Sequence, residues 1–409
     1  MKEKLLFVIG FFLITIYSYA QKIATLEVTL PVAANGVEVP VSTRLDDITF
    51  LSDSSLILVQ VNGTTRTPVN FQIEQGQQRL LHWMAKPTGT QKKLVYELVK
   101  GTPAKSNDLQ ADANDGMLTI HAGTQNLLRY YFKTLEAPEG KNPLYRRSAF
   151  IHPLWTPNGQ ELTRIQPPDH YHHYGIWNPW THVLFEKDTI DFWNIGGGTG
   201  TVRFAKFTSI TDGPVFSEFD ALHEHVVLKG GQDKVAMNEL QHIRVYSPDK
   251  DYYIVDMTME MNCATQSPML LLAYRYAGLG WRTTQEWDNK NSEVITSEGK
   301  SRKEADGSKA KWCIVQGKLG SDYGGAVMMS YPANYNHPEP LRIWPENQYN
   351  RGDMFANFAP TKDKDWLLEP GKKYVLKYRW IVFNGHFNKE KAESAWNYFA
   401  TPAKVIVKK

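Results

Sequence analysis

The segment that best indicates the fold of this chain reads Tyr252-Tyr253-Ile254-Val255-Asp256-Met257-Thr258-Met259. Apolar side chains alternate or run together in it, as they do in Lys234 to Tyr246 and in Lys373 to Val382. Turns rich in Gly, Pro or Asp-Lys bound these segments, which is typical of β-strands. Only Lys389 to Phe399 has the pattern of a helix, with Asn388 as its N-cap and Pro402 beyond its end. Strands that do not alternate with helices predict a large antiparallel β-sandwich over residues 111–409.

The residues before this block predict a smaller all-β module. Alternating segments occur at Ala24 to Leu30, Ile57 to Val61 and Lys93 to Val99, and Asn62-Gly63 after the second one is a strong hairpin signal. Gly101 to Asn114 is rich in Gly, Pro, Ser, Asn and Asp, which favours a linker. We therefore expect a small β-sandwich module over residues 21–110, followed by the larger one.

Residues 1–20 have the three parts of a secretory signal peptide. Lys2 and Lys4 give a positive start, Leu5 to Ile16 is almost wholly apolar, and Ser18-Tyr19-Ala20 places small residues where a signal peptidase cuts. The apolar run is shorter than the ~20 residues that a membrane span needs. We therefore expect a mature chain that begins at Gln21, lacks a membrane span, and lies in the periplasm or outside the cell.

Composition excludes several classes of protein. Lys and Arg number 46 against 43 Asp and Glu, for a formal net charge of +3, and the basic residues are scattered, which argues against a nucleic-acid-binding surface. The chain has 12 Trp, 20 Tyr and 18 Phe, which argues against disorder. Cys263 and Cys313 are too few for a four-thiolate zinc site, and they either pair with each other or remain buried thiols.

The most informative motif is a histidine-rich segment that reads Pro167-Pro168-Asp169-His170-Tyr171-His172-His173-Tyr174-Gly175-Ile176-Trp177-Asn178. Histidine titrates near neutral pH, and an adjacent carboxylate can fix its tautomer, so the segment suits proton transfer to a polar substrate. We therefore predict His170, His172, His173 and Asp169 as the catalytic residues.

Two other interpretations of these histidines remain open. They are either buried side chains satisfied by backbone groups or ligands of a metal ion. In an extended strand His170 and His172 would share a face, and a third ligand would come from His152, His223 or His225. Two histidines at this spacing without a matching third motif are a weak metal signal, so we expect neither a metal nor another cofactor.

Arginines beside aromatic residues are candidates for binding an acidic sugar. A guanidinium binds a carboxylate or sulfate through two hydrogen bonds, and an aromatic ring offers a stacking face. Such residues occur at Arg146-Arg147, Arg164, Tyr274-Arg275-Tyr276 and Trp281-Arg282. In Leu222-His223-Glu224-His225 the two histidines share one strand face. The predicted substrate-binding residues are Arg147, Arg164, Trp177, Asn178, His225, Arg275 and Tyr276.

Two further motifs carry no prediction. Gly196-Gly197-Gly198-Thr199-Gly200 lacks the Lys-Ser/Thr of a phosphate-binding loop, and Arg351-Gly352-Asp353 is short enough to arise by chance.

Several of these residues together resemble the bacterial family often labelled "PmoA-like" or methane-oxygenase-like. The resemblance covers about residues 115–385. It consists of Arg147, His152-Pro153, Thr156-Pro157-Asn158-Gly159, the histidine-rich segment, Tyr276-x-Gly278-Leu279-Gly280, Asn336-His337-Pro338-Glu339-Pro340 and Leu368-x-Pro370-Gly371-Lys372. The oxygenase label does not suit a chain without membrane spans. The last motif also resembles the galactose-mutarotase-like supersandwich of sugar epimerases, hydrolases and polysaccharide lyases, which implies a carbohydrate ligand.

Together these features predict an exported carbohydrate-active enzyme. A lyase or dehydratase that forms an unsaturated uronic acid at the non-reducing end of acidic, ulvan-like oligosaccharides needs a base, an acid and a cation for the carboxylate. The histidine-rich segment and the arginines supply these groups. A glycoside hydrolase, a sugar epimerase and a non-catalytic sugar-binding protein are the alternatives.

Overall fold

The computed structural model describes residues 21–33, 36–106 and 108–409, so the predicted signal peptide lies outside the described residues. About half of the residues are in strands, which are numbered here in chain order. The first seven are β1 (Lys22–Thr29), β2 (Val39–Arg44), β3 (Leu56–Asn62), β4 (Thr65–Val69), β5 (Phe71–Glu74), β6 (Leu80–Ala85) and β7 (Lys93–Lys100).

Nine strands follow these and lead into the longest hairpins of the chain. They are β8 (Leu109–Asn114), β9 (Met117–Ala122), β10 (Gln125–Tyr131), β11 (Phe150–Leu154), β12 (Ile176–Trp177), β13 (Val183–Phe185), β14 (Asp188–Ile190), β15 (Gly200–Thr211) and β16 (Phe216–Val227).

The remaining strands are interrupted by a short helix α1 (Arg302–Ala305) and a longer helix α2 (Lys389–Ala400). They are β17 (Lys234–Tyr246), β18 (Tyr252–Cys263), β19 (Met269–Leu271), β20 (Gly280–Arg282), β21 (Ser292–Thr296), β22 (Lys309–Ala310), β23 (Trp312–Leu319), β24 (Asp322–Ser330), β25 (Glu339–Ile343), β26 (Phe355–Phe358), β27 (Trp366–Leu368), β28 (Tyr374–Asn384) and β29 (Lys404–Lys408).

Two antiparallel sheets form the large sandwich. One has the strand order β22-β25-β26-β20-β12-β11-β10-β9-β8, and the other has the order β15-β16-β17-β18-β28-β24-β23-β21. A single cluster of buried apolar side chains contains residues from both sheets, among them Ile120 and Trp281 from the first and Met257 and Trp380 from the second. A four-stranded sheet of order β14-β13-β19-β27 contributes to the same core. The predicted all-β fold is therefore confirmed.

The N-terminal strands form a second, smaller sandwich. Its sheets have the orders β29-β1-β7-β3-β4 and β2-β6-β5, and they share a core that includes Leu26, Trp83 and Tyr96. A hairpin joins β3 to β4 where Asn62-Gly63 predicts one, but its turn residues are Gly63 and Thr64, because Asn62 pairs with Thr65. Gly63 has a positive φ.

The junction between the sandwiches differs in detail from the sequence expectation. The second half of the predicted linker is β8, an edge strand of the nine-stranded sheet. The C-terminal strand β29 pairs with β1, with Leu26 opposite Val407, so the chain returns to the small sandwich after α2. The side-chain oxygen of Gln72 accepts hydrogen bonds from the backbone of Val215 and Phe216 at 3.1 and 3.0 Å. The domain limits near residue 110 stay a prediction, but the small sheet also contains residues 404–408.

Other local predictions can be compared directly with the structure. Helix α2 begins after Asn388, whose side chain accepts a hydrogen bond from the backbone of Lys391 at 2.9 Å, which confirms the predicted helix and its N-cap. Cys263 and Cys313 are both free and buried. Within the described ranges, none of the helices has the length and apolar character needed to cross a membrane.

Candidate functional site

The histidine-rich segment forms two successive turns before it enters the nine-stranded sheet. The backbone of His170 donates to Pro167 at 2.8 Å, and that of His173 donates to His170 at 3.1 Å. Gly175 ends the turns with a φ of 56°, and a Cβ there would lie 2.2 Å from the carbonyl oxygen of Ile151. The site therefore depends on a glycine at this position, because any side chain would collide with β11.

These turns bring three imidazole rings together. The ring of His170 lies 5.1 Å from that of His172 and 4.5 Å from that of His173, and the last two are 4.8 Å apart. His173 is buried, whereas the other two are partly exposed. The metal-site alternative assumed an extended segment, with a third histidine supplied by His152, His223 or His225. The third imidazole is that of His173, because turns rather than a strand connect it to His170.

Asp169 links this cluster to a buried arginine. Its Oδ2 accepts a hydrogen bond from Nδ1 of His170 at 2.9 Å and lies 2.8 Å from Nη2 of Arg282. The same nitrogen of Arg282 donates to Asp353 at 3.0 Å, and Nη1 of Arg164 lies 3.9 Å from that carboxylate. The carboxylate that orients His170 is thus itself held in place by a buried cation, which is how catalytic histidines and metal ligands are commonly fixed.

The surroundings set the charge of these groups at neutral pH. Burial raises the pKa of Asp169, but its hydrogen bond with His170 and the charge of Arg282 outweigh this effect and bring its pKa down to about 2. Burial and the neighbouring imidazole of His170 lower the pKa of His172 to about 4. Burial and the adjacent imidazoles also place the pKa of His173 well below its ordinary value. At pH 7 the carboxylate is therefore ionised, while His172 and His173 are neutral.

Aromatic side chains from the 344–355 segment surround the imidazoles. The ring of Trp344 lies 5.1 Å from His170 and 4.6 Å from the guanidinium carbon of Arg282. The hydroxyl of Tyr349 lies 3.2 Å from Nε2 of His170, and this tyrosine is 48% exposed. Phe355 packs on His173 at 5.3 Å. None of these three residues is among the predicted site residues.

Five site residues were absent from the predicted site: two charged residues that belong to motifs already noted, and three aromatic residues. Arg282 was noted with Trp281 but not chosen, and Asp353 belongs to the Arg351-Gly352-Asp353 motif that was assigned to chance. Arg351 binds Asp353 at 2.8 Å, so this motif contributes to the charge network. For Trp344, Tyr349 and Phe355, aromatic content alone gives no signal that would distinguish them from core residues.

Trp177 does not present a stacking face to a sugar. The residue is 2% exposed, and its ring is covered by His173 at 5.1 Å, Trp193 at 5.1 Å and Phe355 at 6.0 Å. Trp177 packs against His173 in the interior, and its burial corrects the substrate-binding role predicted for Trp177.

Three other predicted substrate-binding residues lie in a separate buried cluster. Glu239 accepts a hydrogen bond from Asn178 at 2.9 Å, and its other carboxylate oxygen lies 2.7 Å from Nε2 of His225. Arg147 is 2% exposed, with its guanidinium carbon 5.7 Å from the ring of Tyr174. A substrate cannot reach these side chains in this conformation, so the roles predicted for Arg147, Asn178 and His225 are corrected to interior polar groups.

The other predicted substrate-binding residues are Arg164, Tyr276 and Arg275, and they lie at different distances from the imidazole cluster. Arg164 remains partly exposed beside Asp353 and lines a cavity of about 500 Å³ with His152 and Pro167. Tyr276 contacts Phe355 at 5.8 Å and Trp193 at 5.5 Å. Arg275 is exposed, with its guanidinium carbon 5.5 Å from the ring of Tyr276. The structure therefore brings Arg164 and Tyr276 close to the histidines but places Arg275 farther away.

The fold and the site together define an all-β sandwich protein with a histidine-rich centre. Residues 117–397 match the model of a family described as "Family of unknown function (DUF6807)", and the chain belongs to this family. The resemblance to the PmoA-like family is therefore wrong as an identification, since the family match is to a different group. A search of the curated proteins gave no match.

Proposed function

We propose that the chain is an exported carbohydrate-active enzyme, a lyase or dehydratase that acts on acidic, ulvan-like oligosaccharides. The observation that carries this proposal is the arrangement around His170. Its Nδ1 is bonded to the ionised Asp169, and its Nε2 lies 3.2 Å from the hydroxyl of Tyr349. A base held by a carboxylate next to a phenolic acid is the pair that an elimination requires.

In this mechanism His170 removes the proton from the carbon beside the uronate carboxylate. Nδ1 donates to Asp169, so the lone pair on Nε2 is available to accept that proton. The electron pair released from the carbon–hydrogen bond forms the carbon–carbon double bond, and the oxygen on the next carbon departs. Tyr349 donates its proton to that oxygen, and the proton that His170 accepted then returns to Tyr349, whose hydroxyl lies 3.2 Å from Nε2. A departing sugar makes the enzyme a polysaccharide lyase, and a departing hydroxyl makes it a dehydratase.

Arg164 is the cation best placed to neutralise the substrate carboxylate. Arg282 is buried and already bound to two carboxylates, whereas the side chain of Arg164 is 22% exposed and lies 3.9 Å from its nearest carboxylate. A guanidinium that is not saturated by protein carboxylates can bind a second one from the substrate. Its neutralisation acidifies the adjacent carbon–hydrogen bond and so favours proton removal.

The test is incubation of the purified chain with uronate-containing oligosaccharides, following the absorbance of the conjugated double bond and the mass of the products. Loss of one water indicates dehydration, and chain scission with absorbance indicates a lyase. Gain of water without absorbance indicates a hydrolase, unchanged mass with altered stereochemistry indicates an epimerase, and binding without turnover indicates a sugar-binding protein. Each of the last three outcomes contradicts the proposed elimination.

The variants His170→Gln and Tyr349→Phe test the assigned roles. Removal of a positioned acid or base costs on the order of 10²–10⁴ in rate. His386→Gln is a matched control, because His386 also packs against a tyrosine, Tyr323, at 3.8 Å, but is exposed and makes none of the contacts of the histidine-rich site. If His170→Gln and His386→Gln turn over substrate at the same rate, His170 is not the base.

A second candidate function is binding of a divalent transition metal by His170, His172 and His173. One nitrogen of each lies within 4.8 Å of the others, and the buried Nδ1 of His173 has no hydrogen-bond partner in the described part of the chain. Asp169 would then be the outer partner of His170. Nitrogens around a tetrahedral zinc ion are about 3.3 Å apart, so the rings would have to move closer together. Elemental analysis and calorimetric titration with Zn²⁺ decide between the candidates, because the elimination mechanism needs no bound metal and survives a chelator.

A further inference from the structure

We propose that Arg275, Arg342 and Lys362 form a subsite for a second anionic group, a sulfate or a carboxylate on the sugar unit next to the one that reacts. This inference rests on the proposed function and adds to it a requirement for at least two charged units in the substrate.

Three cations meet here with one carboxylate between them. Nη1 of Arg342 lies 3.0 Å from Asp306, and Nζ of Lys362 lies 3.1 Å from the other oxygen of that carboxylate. Arg275 lies beside Arg342, because their guanidinium carbons are 5.5 and 4.9 Å from the ring of the same residue, Tyr276. Asp306 is thus already shared by two cations, and the neighbouring Arg275 adds a positive charge that an anionic ligand would offset.

Arg275 is the group through which a ligand would bind. Its guanidinium carbon lies 5.7 Å from the ring of Tyr274 and 5.5 Å from that of Tyr276, and the residue is exposed. Across the described residues it makes neither an ion pair nor a hydrogen bond. A fold-stabilising role explains the bonds of Arg342 and Lys362 to Asp306, but it does not explain an arginine held over two tyrosines without an acidic partner. The planar guanidinium fork suits the oxygens of a sulfate or carboxylate.

Tyr276 connects this subsite to the histidines. Its hydroxyl accepts hydrogen bonds from Nη2 of Arg342 at 3.1 Å and from Nε1 of Trp344 at 3.0 Å. The ring of Trp344 also lies 5.1 Å from that of His170. The contacts from Arg342 to the reacting imidazole thus pass through Tyr276 and Trp344, and this spacing favours a second anion on a neighbouring unit rather than on the unit that loses its proton.

The experiment compares calorimetric affinities for three probes: a uronate monosaccharide, a disaccharide of two uronates, and a disaccharide of a uronate and a sulfated sugar. The unaltered chain should bind at least one disaccharide about tenfold more tightly than the monosaccharide, since one charge-assisted contact contributes about 1.5–3 kcal/mol. Arg275→Gln should remove this advantage without weakening monosaccharide binding. The two disaccharides distinguish a carboxylate from a sulfate. Arg44→Gln is the matched control, because Arg44 is an exposed arginine at the end of β2.

Two results overturn the subsite while leaving the proposed function standing. They are equal affinities for monosaccharide and disaccharides, and an equal loss for all three probes in Arg275→Gln. If the unaltered chain binds none of the sugars, the proposed function fails, and the subsite is then judged with inorganic sulfate. Sulfate should raise the thermal unfolding midpoint of the unaltered chain and of Arg44→Gln more than that of Arg275→Gln, and equal increases refute the subsite.

Discussion

Replacement of Arg282 by methionine should destabilise the fold far more than the same change at an exposed arginine with equally close partners. Arg282 is 1% exposed and bonds Asp169 and Asp353 at 2.8 and 3.0 Å. Methionine keeps an apolar side chain of similar length, so the change removes mainly the charge and its hydrogen bonds. Both carboxylates then lose their buried cation.

The size of the effect follows from burial. Removal of one partner from a buried ion pair costs about 3–5 kcal/mol, because the remaining charge stays desolvated without compensation. The side chains of Asp169 and Asp353 are 20% and 11% exposed, so water partly solvates them, and His170 and Arg351 still bond them at 2.9 and 2.8 Å. We therefore expect a loss near the lower end, about 3 kcal/mol.

Arg203 provides the matched control. It contacts Glu224 at 2.8 Å and Asp233 at 3.1 Å, but its side chain is 44% exposed. Exposed pairs contribute no more than about 1 kcal/mol, so Arg203→Met should change stability by less than that. Urea denaturation followed by tryptophan fluorescence measures both variants. Equal shifts of the unfolding midpoint for Arg282→Met and Arg203→Met would show that burial of the charge network does not stabilise the site.

Three other predictions concern the histidines, the glycine beside them and the junction of the sandwiches. The free energy of unfolding should fall as pH drops from about 7 to about 4. In the unfolded chain the histidines take up protons near pH 6.5, whereas in the folded chain their lowered pKa values keep His172 and His173 neutral. Protons therefore bind preferentially to the unfolded chain over this range and destabilise the fold. Urea midpoints across this range should fall less steeply in His172→Gln, and an unchanged slope contradicts the prediction. Gly175→Ala should lower the free energy of unfolding by well over the ~1 kcal/mol expected for Gly159→Ala. Both glycines have a positive φ, but only at Gly175 would the new Cβ collide with a backbone atom. Equal thermal unfolding midpoints for the two variants would disprove the clash. Proteolytic cleavage within 101–106 should leave two fragments that co-elute under native conditions, because β29 of the C-terminal fragment pairs with β1 of the N-terminal one. Release of a free N-terminal fragment would contradict this prediction.

The class of fold could be predicted from sequence because strand periodicity is a local property. In β18, which contains Tyr252 to Met259, the side chains alternate between buried and partly exposed positions along most of the strand. The return of β29 to β1 had no such local signal. The pattern of β29 predicts a strand, but its partner β1 lies at the other end of the chain. Pairing between strands so far apart in sequence depends on how the intervening chain folds.

In the candidate site, too, residues that are close in sequence could be predicted and residues that are far apart in sequence could not. The histidines and Asp169 could be found because they are consecutive in sequence, whereas Tyr349 is separated from His170 by 179 residues and Asp353 from Arg282 by 71. The error at Asn178 has a different origin. It follows Trp177 at the end of β12, and successive side chains of a strand point to opposite faces, so Trp177 packs on His173 while Asn178 reaches Glu239 in the interior.

The three imidazoles are identical in chemistry, so their sequence positions alone could not assign them different roles. The structure distinguishes them by their partners. Among the described residues, His170 is the one of the three whose ring is bonded to a carboxylate, and this bond together with the charge of Arg282 keeps that carboxylate ionised. His172 lacks such a partner, and a nitrogen with a pKa of about 4 is a poor proton acceptor at neutral pH. His173 is buried, with a still less favourable environment for a positive charge. These differences make His170 the base in the proposed elimination and leave His172 and His173 as neutral groups that shape the site.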